Sequence, residues 1–330
     1  MFEVIIFFDH FGPHRGFRFI KYELFLAGFY NMLIFDNARI KMAKLPHNVQ
    51  GIIWMGLAGL IFASFMGIVR HVGTSLNPVQ VAFLRYGLGL IFMLPFFLQL
   101  SLIDVKKARF SLHLIRGLLH SIGVMCWFYA MSRIPIADVT AIGFTGPVFA
   151  TIGAAVFLGE VVRVRRILAV LIGLLGAVII LRPGFAEIEL GALLMLIAAP
   201  VFAISDLLSK VLTRQESPPA LVAYLSVFVT LTIMGPALYV WQWPKWEEWA
   251  WMFLTAGLAT LGHLCMIKGV KIAELSALQP IKFLQLFSAA LIGYLIFSEV
   301  PEIWTWIGSA VIIASSTYIA HREAVARRKT

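Results

Sequence analysis

Residues 141–160 read "AIGFTGPVFATIGAAVFLGE", and residues 281–299 read "IKFLQLFSAALIGYLIFSE". Each stretch runs through apolar and small residues and closes on a glutamate, Glu160 and Glu299. In a water-soluble protein, runs of this length would have to vanish into a core. This chain cannot bury them that way, because 60% of its 330 residues are hydrophobic and only 13% are charged. Soluble domains are about half apolar and about a quarter charged, and the mean hydropathy here is +0.89. The two stretches are therefore read as membrane spans, each long enough for about 30 Å of hydrocarbon.

Working outward from them gives ten spans: 51–69, 78–100, 112–132, 136–159, 164–182, 190–210, 219–241, 248–268, 273–298 and 303–321. Lipid offers the backbone no hydrogen-bond partners, so every span is expected to be helical. Connections are short and carry Pro or Gly, as in "SLNPVQ", "SRIPIAD" and "LRPGFAE". Basic residues gather in alternate loops: Lys106, Lys107 and Arg109; Arg163, Arg165 and Arg166; Lys210 and Arg214; Lys268 and Lys271. By the positive-inside rule that side is cytoplasmic, and so are both termini. The net charge of +10 is thereby explained by orientation, not by a nucleic-acid partner. Tryptophans 241, 243, 246, 249, 304 and 306 mark the opposite interface.

The chain repeats itself. "NPVQVAFLRYGLGLIFMLP" matches "SPPALVAYLSVFVTLTIMGP", with Pro78 and Pro219, Ala82 and Ala223, and Pro95 and Pro236 at one constant separation. "IGLLGAVII" in span five echoes "IGSAVII" in span ten. Five spans per copy is an odd number, so the copies lie in opposite orientations. The expected organisation is all-α: an N-terminal extension 1–47, a first repeat 48–183, a second repeat 184–322 and a basic cytoplasmic tail 323–330. Residues 1–41 match nothing in the repeat, and Met42 is the expected natural start.

Ionisable groups inside spans are costly and mark function by default. Span two carries Arg85 and span three carries Arg116, His120, Trp127 and Tyr129. Span six holds Ser205 and Asp206, span eight His263, and span nine Gln279 and Lys282 around Pro280. Arg116, near a span end, is expected to snorkel. Asp206 and Lys210 stand four apart and are expected to pair. Lys282 lies deep enough to need a counter-charge, carbonyls or a wet cavity. Glu160 and Glu299 are expected to be helix-boundary anchors, with proton coupling the sharper alternative. Cys126 and Cys265 have no metal-site or disulfide spacing. No nucleotide-binding, zinc-hydrolase or serine-hydrolase motif is present, so no catalytic residue, metal or cofactor is expected.

These residues resemble the drug/metabolite transporter superfamily in its EamA-type branch, over roughly 48–322. The likeness rests on "FLRYGLGLIFMLP", "GPVFATIGAAVFLGE", "GALLMLIAAPVFAISDLLSK" and the long stretch from Leu278 to Ile319, and on the order of ten spans with a glutamate closing the fourth and ninth. It implies a ten-helix secondary transporter working by alternating access on a small organic metabolite. By span it points to Ser64, Met66, Trp127, Tyr129, Ser205, His263, Gln279 and Lys282 as cavity residues. Many relatives carry an acidic-aromatic pair after the span-nine proline, where this chain has Ile281-Lys282-Phe283. The reading is an inner-membrane exporter. The alternative is an importer of a vitamin or an S-adenosylmethionine-like metabolite. From other classes, a membrane enzyme on lipid-linked substrates would want clustered carboxylates or histidines at one interface. A scaffold would have little use for the polar residues of spans three, six, eight and nine.

Overall fold

The computed structural model describes residues 45–97, 108–158, 164–182, 188–212, 216, 218–272, 281 and 284–327. Among these, eleven helical segments appear and no strand. In chain order they are α1 (His47–Val72), α2 (Pro78–Phe97), α3 (Phe110–Arg133), α4 (Ile136–Gly143), α5 (Gly146–Leu158), α6 (Val164–Leu181), α7 (Leu190–Leu212), α8 (Pro218–Tyr239), α9 (Trp246–Ile272), α10 (Leu284–Phe297) and α11 (Ile303–Arg327). Six helical stretches are long and apolar enough to cross a bilayer, and four shorter apolar ones complete ten traverses. Their outer surface is hydrocarbon-like: Ile91, Val156, Leu171, Leu231, Phe287 and Leu295 are all more than half exposed. Water would not tolerate such a belt, whereas lipid requires it.

Two boundaries differ from the sequence reading. Span four is not one helix but two, α4 and α5, interrupted at Phe144-Thr145. The Gly146-Pro147 pair explains it, since Pro147 has no N–H to give a helix passing through. Thr145 Oγ1 donates back to the Ile142 carbonyl at 2.6 Å and closes the first segment. Span ten runs past its expected end, because α11 continues as helix to Arg327 and takes in most of the tail.

Helix neighbours come in mated pairs. α9 lies along α1 as α7 lies along α3, and α8 meets α3 as α9 meets α2. α6 meets α11, α2 meets α8 and α4 meets α10, each pairing a helix with its own counterpart. That is the neighbour pattern of two five-span units related by a two-fold axis. The α6–α11 contact shows it at atomic scale. A Cβ on Gly176 would meet Ile312 at 2.7 Å and the Gly308 carbonyl at 2.9 Å; one on Gly308 would meet Ile180 at 2.5 Å and the Gly176 carbonyl at 2.6 Å. Each glycine admits the other's backbone, the close approach that small residues permit between membrane helices.

Polar links sort onto two faces, called here the terminal face, where α1 begins and α11 ends, and the far face. On the far face Gln80, fully buried, donates to the Gln242 carbonyl at 2.6 Å and accepts its N–H at 3.0 Å. Arg182 pairs with Glu302, and Thr305 donates to Asp138 at 2.6 Å. On the terminal face the buried His113 and Glu216 meet at 2.6 Å, and the Arg109 N–H donates to the same carboxylate at 3.1 Å. Glu216, in the link before α8, thereby ties that link to the start of α3.

Candidate substrate chamber

Glu299 belongs to the far-face set. α10 stops at Phe297 because Ser298 turns left-handed (φ 57°) and the Glu299 N–H reaches back to the Gly293 carbonyl at 3.0 Å. This is a Schellman-type stop built without the usual glycine. The side chain then folds over Gly293, where an added Cβ would lie 3.0 Å from Oε2. Its carboxylate pairs with Arg70 at 2.9 Å and accepts the Ile136 N–H at 3.0 Å. One side chain thus joins the end of α1, the start of α4 and the end of α10. Glu160 lies outside the described residues.

At the middle of the bundle two aromatic rings are seated on glycines. Phe202 of α7 lies against Gly123 of α3, and Phe62 of α1 lies against Gly262 of α9; in both a Cβ on the glycine would come within 2.9 Å of the ring. Each ring also touches a histidine of the facing helix: His120 with Phe202 at 4.9 Å between centroids, His263 with Phe62 at 5.0 Å. The two histidines lie within electrostatic reach of each other. The mated pairs therefore flank the two-fold axis.

The polar wiring differs between the mates. His120 Nδ1 meets the Ser205 hydroxyl at 3.1 Å and Nε2 meets the Tyr86 hydroxyl at 3.3 Å. Hydroxyls both donate and accept, so both nitrogens of a neutral imidazole are satisfied. His263 instead bonds through Nδ1 to the Ala259 carbonyl of its own helix at 2.7 Å, and it is exposed. Arg85 of α2 holds its guanidinium 4.0 Å over the Tyr86 ring and within electrostatic reach of both histidines. Trp127 meets Phe202 edge-on at 6.0 Å.

A cavity of about 260 Å³ opens beside Phe62 and is bounded by Met55, Gly59, Phe144, Gln285 and Ser316. Phe144 is there because span four breaks at that residue. Gln285 Nε2 and Thr140 Oγ1 both approach the Met66 sulfur, at 3.9 and 3.7 Å. A second cavity of about 100 Å³ lies on the far face among Asp138, Arg182, Glu189, Glu302 and Thr305.

The sequence candidates divide accordingly. Trp127, Ser205 and His263 come together around the two rings, and Met66 sits one layer away with Gln285. Ser64 spends its hydroxyl on its own helix, donating to the Leu60 carbonyl at 3.0 Å. Tyr129 points toward the far end of α3, where Arg133 lies 5.8 Å over its ring. Gln279, Lys282 and the Lys210 side chain lie outside the described residues. Asp206 is exposed and within electrostatic reach of Arg116. Arg116 does not snorkel: it is 6% exposed and donates from Nη1 to the Leu221 carbonyl of α8 at 3.1 Å. Helix packing encloses it, and a neighbouring backbone carbonyl takes the place of water.

Phe62, Phe202 and Tyr86 were not among the candidates, nor were His113 and Glu216. A signal for the first pair existed, since Phe62 and Phe202 stand in the two repeats at nearly the separation of Pro78 and Pro219.

The sequence profile of the EamA-like transporter family matches residues 49–182 and again 189–320. A riboflavin transporter of Vibrio cholerae is 32% identical, over 87% of this chain and 98% of its own length. An S-adenosylmethionine uptake transporter of Rickettsia bellii is 29% identical, over 84% and 96%. A pseudopaline exporter of Pseudomonas aeruginosa is 22% identical, over 81% and 94%.

Proposed function

The chain belongs to the EamA-like transporter family of the drug/metabolite transporter superfamily, is a multi-pass membrane transporter and not an enzyme, and on that premise we propose that it imports a metabolite built on a heteroaromatic ring. The observation that carries this reading is the pair of rings, Phe62 and Phe202, held on glycines on either side of the two-fold axis with Trp127 at right angles to one of them. Flat aromatic walls favour a flat aromatic guest through stacked and edge-on contact. Riboflavin and S-adenosylmethionine, the compounds named for the more similar relatives, both carry such a ring. The uptake relatives are closer in sequence than the exporter, so import is preferred to the export expected from the sequence.

In this reading the protein sits in the inner membrane with both termini cytoplasmic, which the alternation of basic loops supports. The guest lies between the halves near Trp127, Ser205 and His263, with Met66 in the adjoining layer. Access alternates by rocking one five-span unit against the other, as mated repeats allow. The far-face links at Glu299, Glu302, Thr305 and Gln80 would open in one phase, and the His113–Glu216 link in the other.

The test is counterflow. Full-chain protein in liposomes loaded with unlabelled riboflavin or S-adenosylmethionine should accumulate the labelled compound. Trp127→Ala should reduce that uptake by about tenfold, the loss of roughly one aromatic contact, at an unchanged amount of folded protein. Saturable counterflow of a non-aromatic metabolite, with none for either ring compound, would overturn the reading.

A further inference from the structure

Arg85 is the described cation that the fold leaves without an acidic partner at depth. The guanidinium is charged at every accessible pH, and a charge inside a span must be solvated or compensated. The other arginines of the spans show how this chain meets that requirement. Arg70 and Arg182 have Glu299 and Glu302. Arg116 has the Leu221 carbonyl and the field of Asp206. Arg133 ends α3, exposed, with its guanidinium over the Tyr129 ring. Arg85 stands two turns inside α2, half-buried, and its described contact is the face of Tyr86 at 4.0 Å.

The two histidines beside it add no negative charge. His120 has both ring nitrogens engaged by hydroxyls, and His263 has its Nδ1 on a backbone carbonyl. Four carboxylates near the spans are engaged elsewhere, Glu216 by His113, Glu299 by Arg70, Glu302 by Arg182 and Asp138 by Thr305, and Asp206 lies in the field of Arg116. A fixed positive potential therefore lies beside the two aromatic rings. Low-dielectric walls concentrate such a potential on whatever enters, and guanidinium geometry suits carboxylate or phosphate oxygens held two at a time.

We propose that Arg85 is the specificity-determining residue of the chamber and that it binds an anionic group, carboxylate or phosphate, attached to the ring-bearing substrate. The assignment rests on the heteroaromatic reading above and narrows it. The ring lies between Phe62 and Phe202, and the anionic arm reaches across His120 and Tyr86 toward α2. Tyr86 supplies the platform that holds the guanidinium in place when the chamber is empty.

Two pairs of probes separate ring from charge and carboxylate from phosphate. Riboflavin is set against riboflavin 5′-phosphate, and adenosine against adenosine 5′-carboxylate. Binding of each is measured on purified full-chain protein, wild type, Arg85→Gln and Arg85→Lys, together with the melting temperature. In at least one pair the wild type should bind the anionic member more tightly, and Arg85→Gln should weaken that member alone by about tenfold to a hundredfold, the worth of a charged hydrogen-bond pair. Arg85→Lys, which keeps the charge without the fork, should retain part of the preference. The melting temperature of Arg85→Gln should hold or rise, since no buried partner is stranded. If ring compounds bind but the anionic-to-neutral ratio is the same in all three proteins, the assignment of Arg85 is wrong and the ring reading stands. If no ring compound binds the wild type, both fall. Should Arg85→Gln not fold, an unchanged ratio in Arg85→Lys would overturn the assignment, and a ratio reduced several-fold would support it.

Discussion

Phe202 on Gly123 and Phe62 on Gly262 are the same device made twice, yet the histidines beside them are used differently. In the first half-site His120 is locked between Tyr86 and Ser205, two hydroxyls from two other helices. In the second, His263 leans on its own helix and keeps an exposed ring. Gene duplication fixes backbone and packing in pairs, because ring-on-glycine contact depends on shape alone. Hydrogen-bond chemistry depends on single side chains and drifts freely between copies. The symmetric layer therefore supplies the flat walls, and the asymmetric layer is where discrimination between guests is expected.

The largest effects should come from attacking the shared packing. Gly123→Val and Gly262→Val each drive a branched carbon into a ring already 2.9 Å from the position of a Cβ. Overpacking of this kind costs about 1–3 kcal/mol. Matched geometry demands matched losses, so the two melting temperatures should fall together. A drop in one variant with none in the other would show that the half-sites are not mechanically equivalent.

Removing the histidines should instead split the halves. His120→Leu strands the hydroxyls of Tyr86 and Ser205, both buried, at about 1–3 kcal/mol for an unsatisfied group. His263→Leu frees only an Ala259 carbonyl that already lies within helix α9, so its cost should stay below about 1 kcal/mol. Transport should show the reverse weighting. His263→Leu is expected to raise KM with little change in stability, because its ring is the one left open. Equal melting temperatures for the two variants would erase the distinction.

Much of this was legible in the sequence. Ten apolar runs, the repeated prolines and the "IGLLGAVII"/"IGSAVII" echo are local patterns, and the membrane makes them nearly sufficient, since each run has only one way to satisfy its backbone. The break in span four was legible too, from Gly146-Pro147. What could not be read was which face of each helix turns inward. Arg116 sits near a span end, where snorkelling is the cheaper outcome, and only the packing of α8 against α3 puts it beneath a carbonyl. Tyr86 and His120 are thirty-four residues apart, and nothing in either run marks the other. Glu216 lies just before Pro218-Pro219, and nothing local to that link points to His113 about a hundred residues earlier.

The smallest effect should come from trimming the locked half-site by one atom. Ser205→Ala removes the hydroxyl on His120 Nδ1 and leaves Tyr86 on Nε2. Ser205 is fully buried, so water does not replace its hydroxyl, and a loss of about 0.5–1.5 kcal/mol follows for one hydrogen bond. Tyr86→Phe should cost a similar amount, and the two together are the informative measurement. If His120 is held jointly, the first loss frees the ring to turn and the second then removes a bond already weakened. The double variant should therefore lose less than the sum of the singles, a coupling of about 0.5 kcal/mol or more for residues in one network. Strict additivity in the melting temperatures would mean that each hydroxyl acts alone. His120 would then be no more fixed than His263, and the difference between the halves would reduce to exposure.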